Sequence, residues 1–187
     1  MEYELVWTKT KDDLELYGLL KESALHKRIL INVHGTASNF YEEDFIANFA
    51  KELPKIGISV LSTNNRGAYG LEVYQNSGAA IEKFEDCLLD IDAWIEFSIK
   101  RGCKEIILSG HSLGTEKVVY YMANGKYRSK VIAVILLAPA DSYGSHRFHE
   151  GKPNVEAKKR VDVLLKEAER LIEKKSPQLC CDWVKTI

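Results

Sequence analysis

From Arg28 to Ala140, apolar runs alternate with segments of helical period, and no other feature of the chain constrains its fold as tightly. The runs are "RILINV" from Arg28, "ISVLST" from Ile58, "EIILSG" from Glu105 and "VIAVILLAPA" from Val131. The first, third and fourth lack polar alternation, so they suit strands covered on both faces. Between them, Asp44 to Leu53 reads as a helix stopped by Pro54. Phe84, Leu88, Ile91, Ile95 and Ile99 recur at helical spacing, giving an amphipathic helix over residues 82–100 that ends near Gly102. A third helix fills residues 113–124. Strand, helix, strand in this order predicts a parallel sheet with helices on both faces, a three-layer α/β sandwich. Residues 3–9 and 14–21, around the turn-like "KDD", read as a hairpin that adds antiparallel strands to one edge.

A chain of 187 residues is long enough for one domain with a sizeable core. Its 26 basic and 27 acidic residues nearly cancel, which leaves no electrostatic footprint for nucleic acid or an anionic membrane surface. The start, "MEYELVWTKTKDDLEL", has no apolar core of a secretory signal, and the longest apolar run is too short to span a bilayer. Cys87, Cys103, Cys180 and Cys181 have neither metal-ligand nor disulfide-framework spacing. The expectation is a cytoplasmic protein with reduced thiols and no metal or organic cofactor. A G-x-G-x-x-G after the first parallel strand and a G-x-x-x-x-G-K-[ST] are both missing, against dinucleotide and P-loop chemistry.

The chemistry-bearing stretch is "KEIILSGHSLGTEKVVYYMANG", Lys104 to Gly125. A serine hydroxyl is a weak nucleophile that needs a base and exposure to substrate. Gly-x-Ser-x-Gly at a strand-to-helix turn supplies the exposure, because the turn is tight and the flanking glycines, Gly110 and Gly114, relieve clashes. Ser112 is therefore the candidate nucleophile, and a helix cap is the plain structural alternative. The helix beginning there also aims free N–H groups at a developing oxyanion. A second constellation, "HGTASNF" from His34, directly follows an apolar strand, and a third, "NNRG" at 64–67, follows the next.

In the order "HG" at 34–35, "NNRG" at 64–67 and "GHSLG" at 110–114, the chain resembles the alpha/beta-hydrolase superfamily over residues 3 to 141. "CLLDIDAWIEF" and "LLAPADSYG" extend the likeness, more loosely, to a subgroup that includes fungal siderophore esterases. The resemblance implies strand order 1-2-4-3-5-6 and a serine hydrolase acting on a small carboxylic ester. Ser112 would be its nucleophile, and the Leu113 and Thr36 N–H groups its oxyanion donors. It makes His34, Gly35, Arg66, Gly110 and Gly114 supporting residues and Asp141 a candidate triad acid. His111, beside the nucleophile, is expected to point between helix and strand.

The resemblance also implies a core over 1–141 and a lid-like helical segment with a shortened C-terminal part over 142–187. A charged helix is expected at 155–175, with Val161, Leu164, Leu165, Ala168, Leu171 and Ile172 as its stripe. The superfamily's triad runs serine, acid, histidine. No histidine follows His149, so a shortened hydrolase is expected, with His146 and His149 as local substitutes and a non-catalytic binding domain as the rival. The open edge of the sixth strand predicts self-association through the C-terminal region.

Overall fold

Strand β3 (Arg28–Val33) lies in the interior of the six-stranded sheet, and every residue after Arg28 in it is buried. In the computed structural model it pairs in parallel with β4 (Ile58–Thr63) on one side and β5 (Glu105–His111) on the other. The structure describes residues 2–25 and 27–142, and beyond them 148–149, 152–153, 155–156, 159, 162–163, 166 and 170. The hairpin of β1 (Glu4–Lys9) and β2 (Glu15–Lys21) joins antiparallel to β4, and β6 (Val131–Leu137) pairs in parallel with β5. The order is β1-β2-β4-β3-β5-β6, as expected from the sequence.

Side chains alternate across the sheet, so each central strand serves two cores. Ile29, Ile31, Leu61, Ile106 and Leu108 pack with Trp94 and Ile95 of helix α2 (Cys87–Lys100) and with Val118 and Tyr121 of helix α3 (Leu113–Asn124). Leu30 and Val60 point the other way, onto Ile46 and Ala50 of helix α1 (Asp44–Glu52). Each fully buried side chain of this size contributes about 1.5–3 kcal/mol relative to exposure. The doubly covered strands explain the unbroken apolar runs. On β6, by contrast, Ile132, Val134 and Leu136 are exposed.

One helix start differs from expectation. Helix α2 begins at Cys87, after a single 3₁₀ turn at Phe84–Asp86, and not at residue 82. Glu82 is held outside the helix, where its carboxylate accepts a 2.6 Å hydrogen bond from Lys117 Nζ. No apolar period marks such a tertiary pairing.

By contacts the chain divides into two compact units, Met1–Ala140 and Asp141–Ile187. In the second, β7 (Phe148–His149) pairs antiparallel with β8 (Lys152–Pro153), where the sequence reads a loop. Strands of two residues are too short to show a period. Within the expected helix at 155–175, residues 155, 156, 159, 162, 163, 166 and 170 are helical. Its apolar stripe, His146, and Cys180 and Cys181 lie outside the described residues.

Candidate active site

Because β3, β4 and β5 run in parallel, the loops that follow them emerge at one edge of the sheet, where open α/β folds bind ligands. These loops carry His34–Gly35–Thr36, Asn64 to Gly67, and Ser112. Ser112 is the single residue between the end of β5 and the start of α3, with φ 52° and ψ −124°. A non-glycine residue in that region costs about 1–3 kcal/mol and persists only where its surroundings hold it. Its carbonyl accepts from Thr115 N–H (2.9 Å) and from Thr115 Oγ1 (2.6 Å), while its own N–H donates to Leu137 O at 3.1 Å. The hydroxyl makes no capping hydrogen bond to α3, so the serine is not there as a helix cap.

Two glycines let the loops approach. A Cβ on Gly114 would stand 2.1 Å from Val33 O, and one on Gly35 would stand 2.9 Å from Ser112 Cβ. The His-Gly loop thus rests directly on the strained turn. Leu113, first in α3, directly follows Ser112, and Thr36, two residues beyond His34, lines one cavity with it. Among the described residues, the loop and cap hydrogen bonds include none donated by either N–H. A cavity of about 470 Å³ opens here, lined by Gly35, Thr36, Ser38, Glu43, Phe45, His111 and Ser112, with Glu42 and Asp44 at its wall. A second cleft of similar volume, at Asp12, Arg66, Glu82 and Asp86, is walled largely by acids.

The described histidines differ sharply. His34 is fully buried. Its Nδ1–H donates to Gly35 O at 2.7 Å, and its Nε2 accepts from Asn65 N–H at 3.1 Å. Burial pushes its pKa down to about 3, against the pull of the Gly35 carbonyl. With both nitrogens engaged, the ring ties two loops together and has no lone pair for a substrate proton. Because the folded value lies below the ordinary 6.5, the unfolded chain binds the proton first, and stability falls as pH drops from 6.5 toward 3. We expect a loss of about 2 kcal/mol between pH 6.5 and pH 5 from this residue, read by urea denaturation and reduced in His34→Gln.

His111 is one-third exposed, and its Nδ1 bonds the Glu43 carboxylate at 2.8 Å. Its ring also packs edge-on against Phe45. It therefore faces α1 and the cavity. Arg66 anchors the loop after β4: its N–H and guanidinium bond the buried Asp90 of α2, and the guanidinium also reaches Asp12 and Asp86. Behind it, the fully buried Lys117 donates to Glu82 and to Asn65 Oδ1. Asp141 is exposed and opens the second unit.

The motifs of the sequence thus meet at one edge, but their supports, Glu43, Asp90, Glu82 and Lys117, belong to no sequence motif. Only Lys117 left a trace. It falls on the helix face of Gly114, Val118 and Tyr121, where a lysine is out of place unless paired.

A mainly parallel sheet in this order, with a strained serine between strand and helix and a His-Gly loop against it, defines an α/β hydrolase. The sequence matches the family described as serine aminopeptidase, S33, over residues 24–180, and the chain belongs to that family. No curated protein sequence matches it. Among solved structures, it resembles the esterase Pf2001 of Pyrococcus furiosus (TM-score 0.58, 22% identity, 74% of this chain and 51% of that one). It also resembles Est1E of Butyrivibrio proteoclasticus with ferulic acid bound (0.59, 22%, 72% and 52%). A third likeness is to the α/β hydrolase GrgF of Penicillium sp. sh18 (0.66, 20%, 91% and 53%). The chain spans about half the length of these proteins, and at such identities the likeness is one of fold. Among the described residues no helix is long and apolar enough to cross a membrane.

Proposed function

We propose that the chain is a serine hydrolase acting on a small carboxylic ester, with Ser112 as nucleophile. The observation that carries this is the strained Ser112 backbone, which holds a hydroxyl not spent on capping against the wall of a cavity. The Ser112 Oγ–H proton passes to a base as Oγ bonds the ester carbonyl carbon. The carbonyl oxygen, now negative, takes hydrogen bonds from the N–H groups of Leu113 and Thr36. The C–O bond to the alcohol breaks as the intermediate collapses, the alcohol leaves with the proton, and water releases the acyl group by the reverse steps. His34 is not that base, because it is buried and neutral. In the superfamily's order the base is a late histidine, with Asp141 as the candidate acid. If neither His146 nor His149 takes that part, this chain turns over simple esters poorly.

A fluorophosphonate probe tests the nucleophile without requiring turnover. The folded protein should be labelled at Ser112, and labelling should vanish in Ser112→Ala and in the urea-unfolded chain. A folded protein that resists the probe at millimolar concentration for hours would instead identify a binding domain on a hydrolase fold.

A further inference from the structure

Glu43 occupies the position before the first turn of α1, where a side-chain oxygen can accept from the helix's free N–H groups. It makes no such bond. Its side chain is nearly buried and spans two other elements instead: one oxygen accepts from Asn32 Nδ2 of β3 at 2.7 Å, the other meets His111 Nδ1 of β5 at 2.8 Å. The core does not require this arrangement. Asn32 is buried next to the C-terminal end of the central strand, and its amide oxygen has no hydrogen-bond partner among the described residues. Ser62 and Ser109 stand beside it at the same register on β4 and β5, buried, with hydroxyls likewise unpartnered. Apolar residues at these positions would leave no buried polar atom unpaired. Within this row, the polar side-chain atom that has a partner among the described residues is Asn32 Nδ2, and that partner is Glu43.

The loop between His34 and Glu43 contains Thr36, and its near end touches Ser112 through Gly35. Along its length it is hung from Asn64 Oδ1 by Phe40 N–H (2.9 Å) and held by Ser38 O to Tyr69 N–H (3.2 Å). At its far end, Glu43 fastens it to His111, the residue immediately before Ser112. We infer that Asn32, Glu43 and His111 are positioning residues that clamp the oxyanion loop to the nucleophile turn. The inference rests on the reaction proposed for Ser112. The carboxylate holds the His111 proton on Nδ1, and the Phe45 ring fixes the imidazole plane. His111 then acts through the placement of the neighbouring loop and not by taking the Ser112 proton.

A clamp of this kind serves the transition state more than binding, so fluorophosphonate kinetics at Ser112 should separate its effects. In Glu43→Ala and in His111→Ala, the maximal inactivation rate should fall by about 30- to 100-fold, with the probe's half-saturating concentration nearly unchanged. The double variant should be no slower than either single one, because the two residues act as a unit. Glu43→Gln should recover most of the rate. Its amide can accept from Asn32 and donate to Nδ1 of the other imidazole tautomer. Equal rates in wild type and Glu43→Ala, or additive losses in the double variant, would overturn the clamp. Amide hydrogen exchange over residues 35–42 probes the clamp independently of Ser112 chemistry. Exchange at least about tenfold faster in Glu43→Ala supports the clamp, and unchanged exchange refutes it even if the wild type takes no label.

Discussion

Asp90→Ala is expected to destabilise the protein by about 3–5 kcal/mol, a large part of the stability of a domain this size. Asp90 is wholly buried and accepts from Arg66 N–H at 2.8 Å, Nε at 3.1 Å and Nη2 at 2.9 Å. Burial raises its carboxyl above the ordinary range, against the pull of Arg66. Burial also opposes the Arg66 charge, but Asp90 and Asp12 outweigh it and hold the guanidinium above its usual value. Such a pair adds little over a well-packed apolar one, because desolvation offsets the attraction. Removing one half is different: it strands a guanidinium whose remaining ion-pair partners among the described residues, Asp12 and Asp86, are both partly exposed. Urea denaturation should show the loss, and the double variant Asp90→Leu, Arg66→Met should recover part of it. A single variant within about 1 kcal/mol of wild type would mean that Arg66 finds solvent by moving out.

Gly114→Ala should cost about 3 kcal/mol and abolish Ser112 labelling together. The added methyl would stand 2.1 Å from Val33 O and 2.7 Å from His34 O. Both are backbone atoms, one at the end of the central strand and one in the His-Gly loop, so no flexible side chain can give way. Relief requires the first turn of α3 to move off the sheet, which takes Ser112 and the Leu113 N–H with it. Thermal unfolding and probe labelling check the two halves of the expectation. A folded variant that labels at the wild-type rate would show that the turn tolerates far more slack than its geometry implies.

Much of this arrangement is legible in the chain. Buried parallel strands cannot alternate polar with apolar, so "RILINV" and "EIILSG" announce themselves, and with the helical periods between them they set the layers. Ser112 is legible because a strand, a glycine-flanked serine and a helix occur in succession. The ligatures behind it are not, for a reason of distance along the chain. Glu43 meets His111 across 68 positions, Lys117 meets Glu82 across 35, and Arg66 meets Asp90 across 24. Each looks like one more charge in a chain that is 28% charged. Periodicity reports which face of an element is covered, not which distant partner a covered charge will find. The same limit set the start of α2 five residues too early, since Glu82 is claimed by Lys117 before it can enter the helix.

Strands β3, β4 and β5 also act as rulers. Val33 lies beside Thr63 on one side and Gly110 on the other, so three chain segments reach the site edge level with one another. Losing one residue from β5 would draw Ser112 back by about 3.3 Å and exchange the faces on which Leu108, Ser109 and His111 stand. Exchanging one aliphatic side chain for another in the same strand costs only a little packing. The tolerances are therefore opposite: the letters of these strands can drift, while their count is held, and the loops beyond the edge are the places where length can change without carrying the serine away from its pocket.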